Sequence, residues 1–268
     1  MTSRNLLVEL LVEELPPKVL NKLGQAFATQ IAGSLAEQGL VAGGQPPVVF
    51  ASPRRLAVWV AGVASQGAEQ PEEKKIMPVS VARSADGKPT PALLKKLAAL
   101  GLDASVERSL VTVPDGKADV LVYRGVRAGV ALAAGLQVAL DKALAQLPVP
   151  KVMSYQLADG WSSVNFVRPA HGLVALHGAD VVPVAALGLQ AGRQTRGHRF
   201  EAAQSPIVLK EADSYARQLE TEGAVIASFD ARRAEIVRQL QVAAAAQGLT
   251  PIEDPALVDE VCALVERP

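Results

Sequence analysis

Cysteine is nearly missing from this chain: Cys262 stands alone, which excludes an intrachain disulfide and a multi-cysteine metal site. Histidine is scarce too. Three residues, His171, His177 and His198, are too few for a histidine-rich metal cluster. Aromatic residues make up only 4%, so the core must rest on Leu, Val and Ala. Net charge is also lacking, because 27 Lys+Arg balance 27 Asp+Glu. No global field draws in a polyanion, and any nucleic-acid contact must come from a local patch. The phosphate-loop pattern and GxGxxG are absent, as are Gly-x-Ser-x-Gly and HExxH, so nucleotide and hydrolase chemistry have no recognisable motif. The opening apolar run is too short and too charged for a signal peptide or a membrane span. This predicts a soluble cytoplasmic protein with no membrane partner.

Hydrophobic residues reach 49% of 268, ample for one large domain or two intimate ones. Residues 5–13 read as a buried strand. Pro16-Pro17 punctuates, and 17–38 carry helical periodicity, closed by Gly39 and Gly43-Gly44. Residues 47–51 and 55–63 read as strands joined by Ser52-Pro53-Arg54. The polar tract 64–75 reads as a loop or exposed edge. A short helix is expected at 90–100, with Thr90 as cap and Pro91 in its first turn. A hairpin turns at Pro114-Asp115-Gly116 between 109–114 and 119–126. A helix follows at 129–146, then strands at 163–167, 172–177 and 180–188. The segments 209–221, 229–247 and 255–265 are mostly helical. Strands and helices intermix without a βαβ rhythm, which predicts an α+β fold: a mixed or antiparallel sheet with packed helices, then a mostly helical C-terminal segment. The expected organisation is a 1–150 α+β region, a strand-rich 151–208 continuation and a helical 209–268 segment truncated within a longer polypeptide. Breaks are expected at 64–75 and 154–163, with the sheet spanning both halves.

The stretch Gly192-Arg193-Gln194-Thr195-Arg196-Gly197-His198-Arg199-Phe200 holds the densest chemistry. Guanidinium forks suit phosphate, and glycine permits close backbone approach. Two readings stand: Arg193, Arg196, His198 and Arg199 face an anion, or they pair with the chain's own carboxylates, Glu9, Glu13 and Glu14. Arg54 and Arg55 at the 52–55 turn offer a second phosphate contact, or a solvated turn with one ion pair. Arg168, set between an apolar strand and Pro169, needs a specific partner. Glu13-Glu14 offers acid–base carboxylates, or favours the following helix N-terminus. His171 and His177 read as satisfied core histidines, and Cys262 as a small core residue. A free-standing hydrolase using Glu13, Glu14 and His171 lacks a recognisable nucleophile.

In order along the chain stand Leu6-Leu7-Val8-Glu9, Glu13-Glu14-Leu15-Pro16-Pro17-Lys18, Ser52-Pro53-Arg54-Arg55-Leu56-Ala57-Val58 and Pro150-Lys151-Val152-Met153. Phe166-Val167-Arg168-Pro169, His171-Gly172-Leu173-Val174, Gly192-Arg193 with Thr195-Arg196-Gly197-His198-Arg199-Phe200, and Leu264-Val265-Glu266 follow. Together they resemble the N-terminal part of the β-subunit family of bacterial two-subunit glycyl-tRNA synthetases. The chain departs from the family pattern at Leu11-Val12 (usually Gly-Thr), at Ser154-Tyr155 (usually Arg-Trp) with an irregular Gln156-to-Ser163 stretch, and at Glu266-Arg267-Pro268 (usually Glu-Trp-Pro). The family's later HD-type and anticodon-binding regions are not among its segments.

The resemblance implies a ligase that joins glycine to tRNA(Gly), with glycine activated by ATP and Mg on a separate α subunit. It implies no cofactor and no catalytic residue on this stretch. The implied partners are the α subunit, tRNA(Gly) and, in an α2β2 assembly, a second β subunit. The implied role is tRNA handling and subunit assembly, with Arg193, Arg196, His198 and Arg199 facing tRNA or the partner subunit and Arg54, Arg55 and Arg168 in support. The alternative is a non-catalytic RNA- or protein-binding module appended to a synthetase.

Overall fold

The computed structural model describes residues 3–42, 45–84, 86–116 and 118–268; Gly43-Gly44, expected to help close the first helix, lie outside them. The chain divides into two units: Met1–Gly67 with Val130–Pro268, and Ala68–Gly129. Both boundaries fall inside the 1–150 region, the first of them within the 64–75 tract.

The larger unit opens with β1 (Ser3–Val12), a 3-10 turn at Pro17–Val19, α1 (Leu20–Glu37), β2 (Val48–Ser52) and β3 (Arg55–Ala64). Gly39, at φ 69, closes α1 in the left-handed region where glycine carries no steric cost. The inserted unit contains β4 (Gln70–Pro78), α2 (Val79–Ala82), α3 (Pro91–Ala99), β5 (Val111–Asp115) and β6 (Ala118–Arg127). Its sheet runs β4-β6-β5, so the tract expected as a loop or exposed edge supplies an edge strand. Thr90 caps α3 by accepting from the Leu93 amide at 3.3 Å. Ile76, Ala82, Leu93, Leu97 and Leu121 form this unit's own small core.

The larger unit resumes with α4 (Leu132–Gln146), β7 (Met153–Gln156), β8 (Ser163–Phe166), β9 (Ala170–His177) and β10 (Asp180–Val181). The stretch expected to be irregular between 154 and 163 is a hairpin. β7 pairs with β8, and Asp159 Oδ1 accepts the Trp161 and Ser162 amides in its turn. Four two-residue strands follow: β11 (Ala185–Ala186), β12 (Leu189–Gln190), β13 (Gln194–Thr195) and β14 (Ile207–Val208). Helices α5 (Tyr215–Thr221), α6 (Phe229–Ala246) and α7 (Pro255–Cys262) complete the order. The α+β class holds.

The main sheet is antiparallel in the order β10-β9-β1-β3-β2. It therefore joins residues from both halves of the sequence, with β1 in the middle. Alternation along a strand sends Leu6, Val8, Leu10 and Val12 to one face, where they join α1 and α4 residues such as Phe27 and Leu136 in the main core. Leu7 faces the other side, among Phe50, Val174, Leu176, Tyr215 and Leu219. Burial on both faces explains why β1 is apolar at nearly every position rather than at every second one. Glu9 is the exception: it lies in the middle of the sheet and is buried.

Candidate functional site

A carboxylate in that position needs a cation and hydrogen bonds, because an isolated buried charge is strongly disfavoured. Arg55, at the start of the neighbouring strand and fully buried, supplies the cation: its Nε lies 3.6 Å from Glu9 Oε2. The Tyr215 hydroxyl donates to the same oxygen. Burial, reinforced by the Glu9 charge, pushes the Tyr215 phenol well above its usual range, so it remains a donor. Arg55 also lies 3.6 Å from Glu266. Glu266 in turn receives a two-pronged fork from Arg54, with Nε at 3.1 Å and Nη2 at 2.6 Å. Two arginines thus meet two carboxylates in a buried cluster whose formal charges cancel.

The same pair of arginines fixes the Arg/His loop. Arg55 Nη2 donates to the Arg196 carbonyl at 2.6 Å, and Arg54 Nη2 to the Gly197 carbonyl at 2.8 Å. The 52–55 turn also accepts from the end of β1 and the chain just after it, the Arg54 carbonyl from the Val12 amide (2.8 Å) and the Pro53 carbonyl from the Leu15 amide (2.7 Å). The expectation of a solvated turn is therefore corrected: Ser52 and Arg55 are fully buried. Arg55 is closed to any external anion, and the Arg54 fork is engaged internally. Both hold the loop that presents other cations.

Those other cations divide by what they touch. Arg193 donates to the Ala179 carbonyl at 2.7 Å, and Arg168 to the Glu14 carbonyl at 2.8 Å and to that of Val167. The specific partners Arg168 requires are backbone oxygens, and its side chain is exposed. Arg199 Nη2 pairs with Glu13 Oε2 at 2.7 Å, and its Nη1 lies 4.0 Å from Glu14. His171 Nε2 meets the other Glu13 oxygen at 2.8 Å. Glu13 thus serves neither a helix N-terminus nor a core. It is half-exposed between two cationic or hydrogen-bonding side chains, and His171 is half-exposed with it. His177, in contrast, is buried and satisfied by the Val63 carbonyl. His198 Nδ1 accepts the Phe200 and Glu201 amides, which fixes its ring over the following turn. Arg196 is exposed, and its guanidinium has no ion pair or hydrogen bond among the described residues.

Glu13, Arg54, His171, Arg196, His198 and Arg199 line one cleft of 580 Å³. Burial acts to raise the Glu13 pKa, but the hydrogen bond and charge of His171, together with Arg199, outweigh it and hold the carboxyl below its ordinary 4.5. A carboxyl with a lower pKa folded than unfolded contributes stability above the unfolded value, and that contribution fades as pH falls through the folded value. Acidification below about pH 4.5 is therefore expected to lower the urea midpoint of the wild type more than that of Glu13→Gln, whose site has no proton to take up. Equal acid sensitivity in the two proteins would remove Glu13 from the account.

The cleft does not assemble a hydrolase. His171 and Ser205 both border it, but no hydrogen bond joins them among the described residues, and a nucleophile needs a base within reach. No group of three or more His, Cys, Asp or Glu suited to a metal occurs among the described residues. Nor is any described helix long and apolar enough to cross a membrane. Sequence reasoning missed two residues. Glu266 anchors Arg54 across 212 positions; it stood in the closing Leu264-Val265-Glu266 segment, but nothing local there pointed to a buried arginine partner. Arg232, fully buried in the first turn of α6, donates to the carbonyls of Ala51, Ile226, Ser228 and Cys262, and a periodicity reading assigns a helical arginine to solvent.

Comparison with known proteins fits this arrangement into a family. The family model described as glycyl-tRNA synthetase beta subunit matches residues 6–268. The glycine–tRNA ligase beta subunit of Leptothrix cholodnii is 68% identical over 268 residues, covering 100% of this chain and 38% of that protein. The same-named protein of Thiobacillus denitrificans is 63% identical over 268 residues, again 100% of this chain and 38% of the relative. That of Dechloromonas aromatica is 61% identical, with 100% and 39% covered. The chain therefore spans well under half the length of these relatives. The match takes in Glu9, the 52–55 turn, the Arg/His loop and Glu266 alike, and on that evidence the chain belongs to the glycyl-tRNA synthetase beta subunit family.

Proposed function

We propose that this chain is a tRNA-handling and assembly region of a glycine–tRNA ligase β subunit, serving ATP-dependent glycylation of tRNA(Gly) while glycine is activated on a separate α subunit. One observation carries the reading: Arg196 stands exposed and unpaired beside Arg199 and His198, on a loop whose backbone is clamped from below by buried arginines. A cation held in position without an internal partner suits a phosphate oxygen. In a chain of zero formal charge, such a local patch is what RNA contact requires. Phosphate contacts of this kind give affinity and register with little base selectivity.

The test is tRNA binding over a salt series by the full-length β subunit assembled with its α partner, wild type against Arg196→Ala/Arg199→Ala. Each lost phosphate contact is expected to reduce the slope of log affinity against log salt by about 1. Unchanged affinity and slope in a correctly folded variant would end the reading. The rival, in which the arginines serve only internal ion pairs, is favoured for Arg54 and Arg55 by their burial. It predicts that the Arg196/Arg199 variant loses thermal stability while binding tRNA normally. A non-catalytic module appended to a synthetase differs in another assay, because it makes no difference to glycine-dependent ATP turnover when added to the α subunit.

A further inference from the structure

The chain contains 5 Phe, 2 Trp and 3 Tyr, and only two of these rings stand in solvent: Trp161 at 92% exposure and Phe200 at 90%. Trp161 sits on the turn between β7 and β8 with no cleft beside it among those described. Phe200 differs. It follows Arg199 directly, meets the His198 ring edge-on at 6.1 Å and 64°, and forms a wall of a second cleft of 250 Å³. Pro53, Leu264 and Val265 supply the apolar remainder of that cleft. The two clefts share Arg54, His198 and Arg199, so a group in the smaller one lies next to the cations of the larger.

We propose that the cleft walled by Phe200, Pro53, Leu264 and Val265 seats one unpaired nucleobase, with the adjoining phosphates held by Arg196 and Arg199. This rests on the RNA reading above and narrows it to single-stranded nucleotides. An apolar ring left in water beside cations has the two parts that single-strand binders combine: a π-face on which any base stacks, and a positive track for the backbone. A base locked in a duplex shows its face to its neighbours and cannot use such a ring, whereas an unpaired one can. The cleft's 250 Å³, bounded on its polar side by Glu14, Glu266 and Arg267, suits a single ring rather than a run of stacked ones, which makes a terminal or looped-out base the fitting occupant. His198 contributes as a positioning residue: its Nδ1 accepts the Phe200 amide at 3.3 Å and its ring abuts the phenyl edge.

The experiment uses the full-length β subunit with its α partner and two RNA probes: a duplex with a single-stranded 3′ extension carrying 2-aminopurine at each extension position in turn, and the same duplex with blunt ends. Phe200→Ala is expected to weaken binding of the extended probe about 5- to 150-fold, to abolish the fluorescence quenching that stacking causes at one position, and to leave blunt-duplex binding and the salt slope unchanged. Phe200→Trp is expected to restore both affinity and quenching. Because the ring is exposed, the alanine variant is expected to unfold as the wild type does. If Phe200→Ala binds the extended probe normally while Arg196→Ala/Arg199→Ala binds it weakly, the base seat is wrong and the phosphate reading survives. If Phe200→Ala weakens both probes equally, stacking on an unpaired base is likewise overturned. If neither variant alters binding of either probe, the RNA reading falls and takes this inference with it.

Discussion

Arg55→Met is expected to destabilise the larger unit by about 3–5 kcal/mol, the usual consequence of removing one member of a buried ion pair. The cost arises less from the lost attraction than from what remains: Glu9, buried in the middle of the sheet, with a carboxylate no longer faced by a cation. Glu266 keeps the Arg54 fork and is less exposed to the loss. For a unit of this size the change corresponds to a fall in melting temperature of roughly 6–20 °C. Tryptophan emission reads the larger unit alone, because Trp59 and Trp161 both lie outside Ala68–Gly129. Adding Glu9→Gln to Arg55→Met is expected to recover part of the loss, since the neutral amide oxygen still accepts from Tyr215 while no charge is stranded. A single variant within about 1 kcal/mol of wild type would show that the Glu9–Arg55 pair sits in a far wetter environment than its burial indicates.

Gly197→Ala is expected to have the second large effect, and to strike stability and RNA contact together. A Cβ there would lie 2.4 Å from the Gly223 carbonyl oxygen, 2.5 Å from the Gly223 Cα and 2.8 Å from the Ala202 Cβ. Backbone atoms cannot rotate out of the way as a side-chain tip can, so the loop itself must move. The move breaks the His198 amide to Gly223 carbonyl bond of 2.7 Å and the Arg54 bond to the Gly197 carbonyl. Overpacking of this kind costs about 1–3 kcal/mol. Because Arg196, His198 and Arg199 flank the displaced residue, tRNA affinity is expected to fall at least as far as in the double arginine variant. Gly192→Ala is the control, as nothing lies within 4 Å of the Cβ it would gain; it is expected to stay within about 0.5 kcal/mol of wild type. Near-neutral behaviour of both substitutions would mean that the loop is not seated on Gly223.

Local patterns in the sequence were sufficient for most of the elements. The Thr90-Pro91 helix start, the Pro114-Asp115-Gly116 turn and the 3.6-residue period of α1 are all written within a few residues of where they act. The apolar run of β1, broken only by Glu9 between Leu6 and Val12, likewise announces a buried strand. The inserted unit was not legible, because no feature of residues 68–129 says that they pair among themselves rather than with the strands before them. The hairpin at 153–166 escaped for a related reason: two four-residue strands give too short a period to detect. Of the site, the loop could be recognised from its cation density, and the Arg199–Glu13 pair was among the partners the residues offered. The split between cations that hold the loop and a cation that faces outward was not. It depends on Glu266, and a contact between residues 212 positions apart leaves no mark in local composition.

The inserted unit leaves and re-enters the larger one through a doorway one hydrogen bond wide. Gly67 amide meets Val130 carbonyl at 2.8 Å, and Leu132 amide meets Ser65 carbonyl at 3.0 Å. Residues on either side of the insertion are therefore already neighbours in the larger unit, whatever lies between them. Chain ends held this close are the condition under which a stretch can be cut out, lengthened or exchanged with little disturbance to its host. Ala68–Gly129 is thus a stretch whose replacement is expected to leave β1, its buried glutamate and the arginine loop in place.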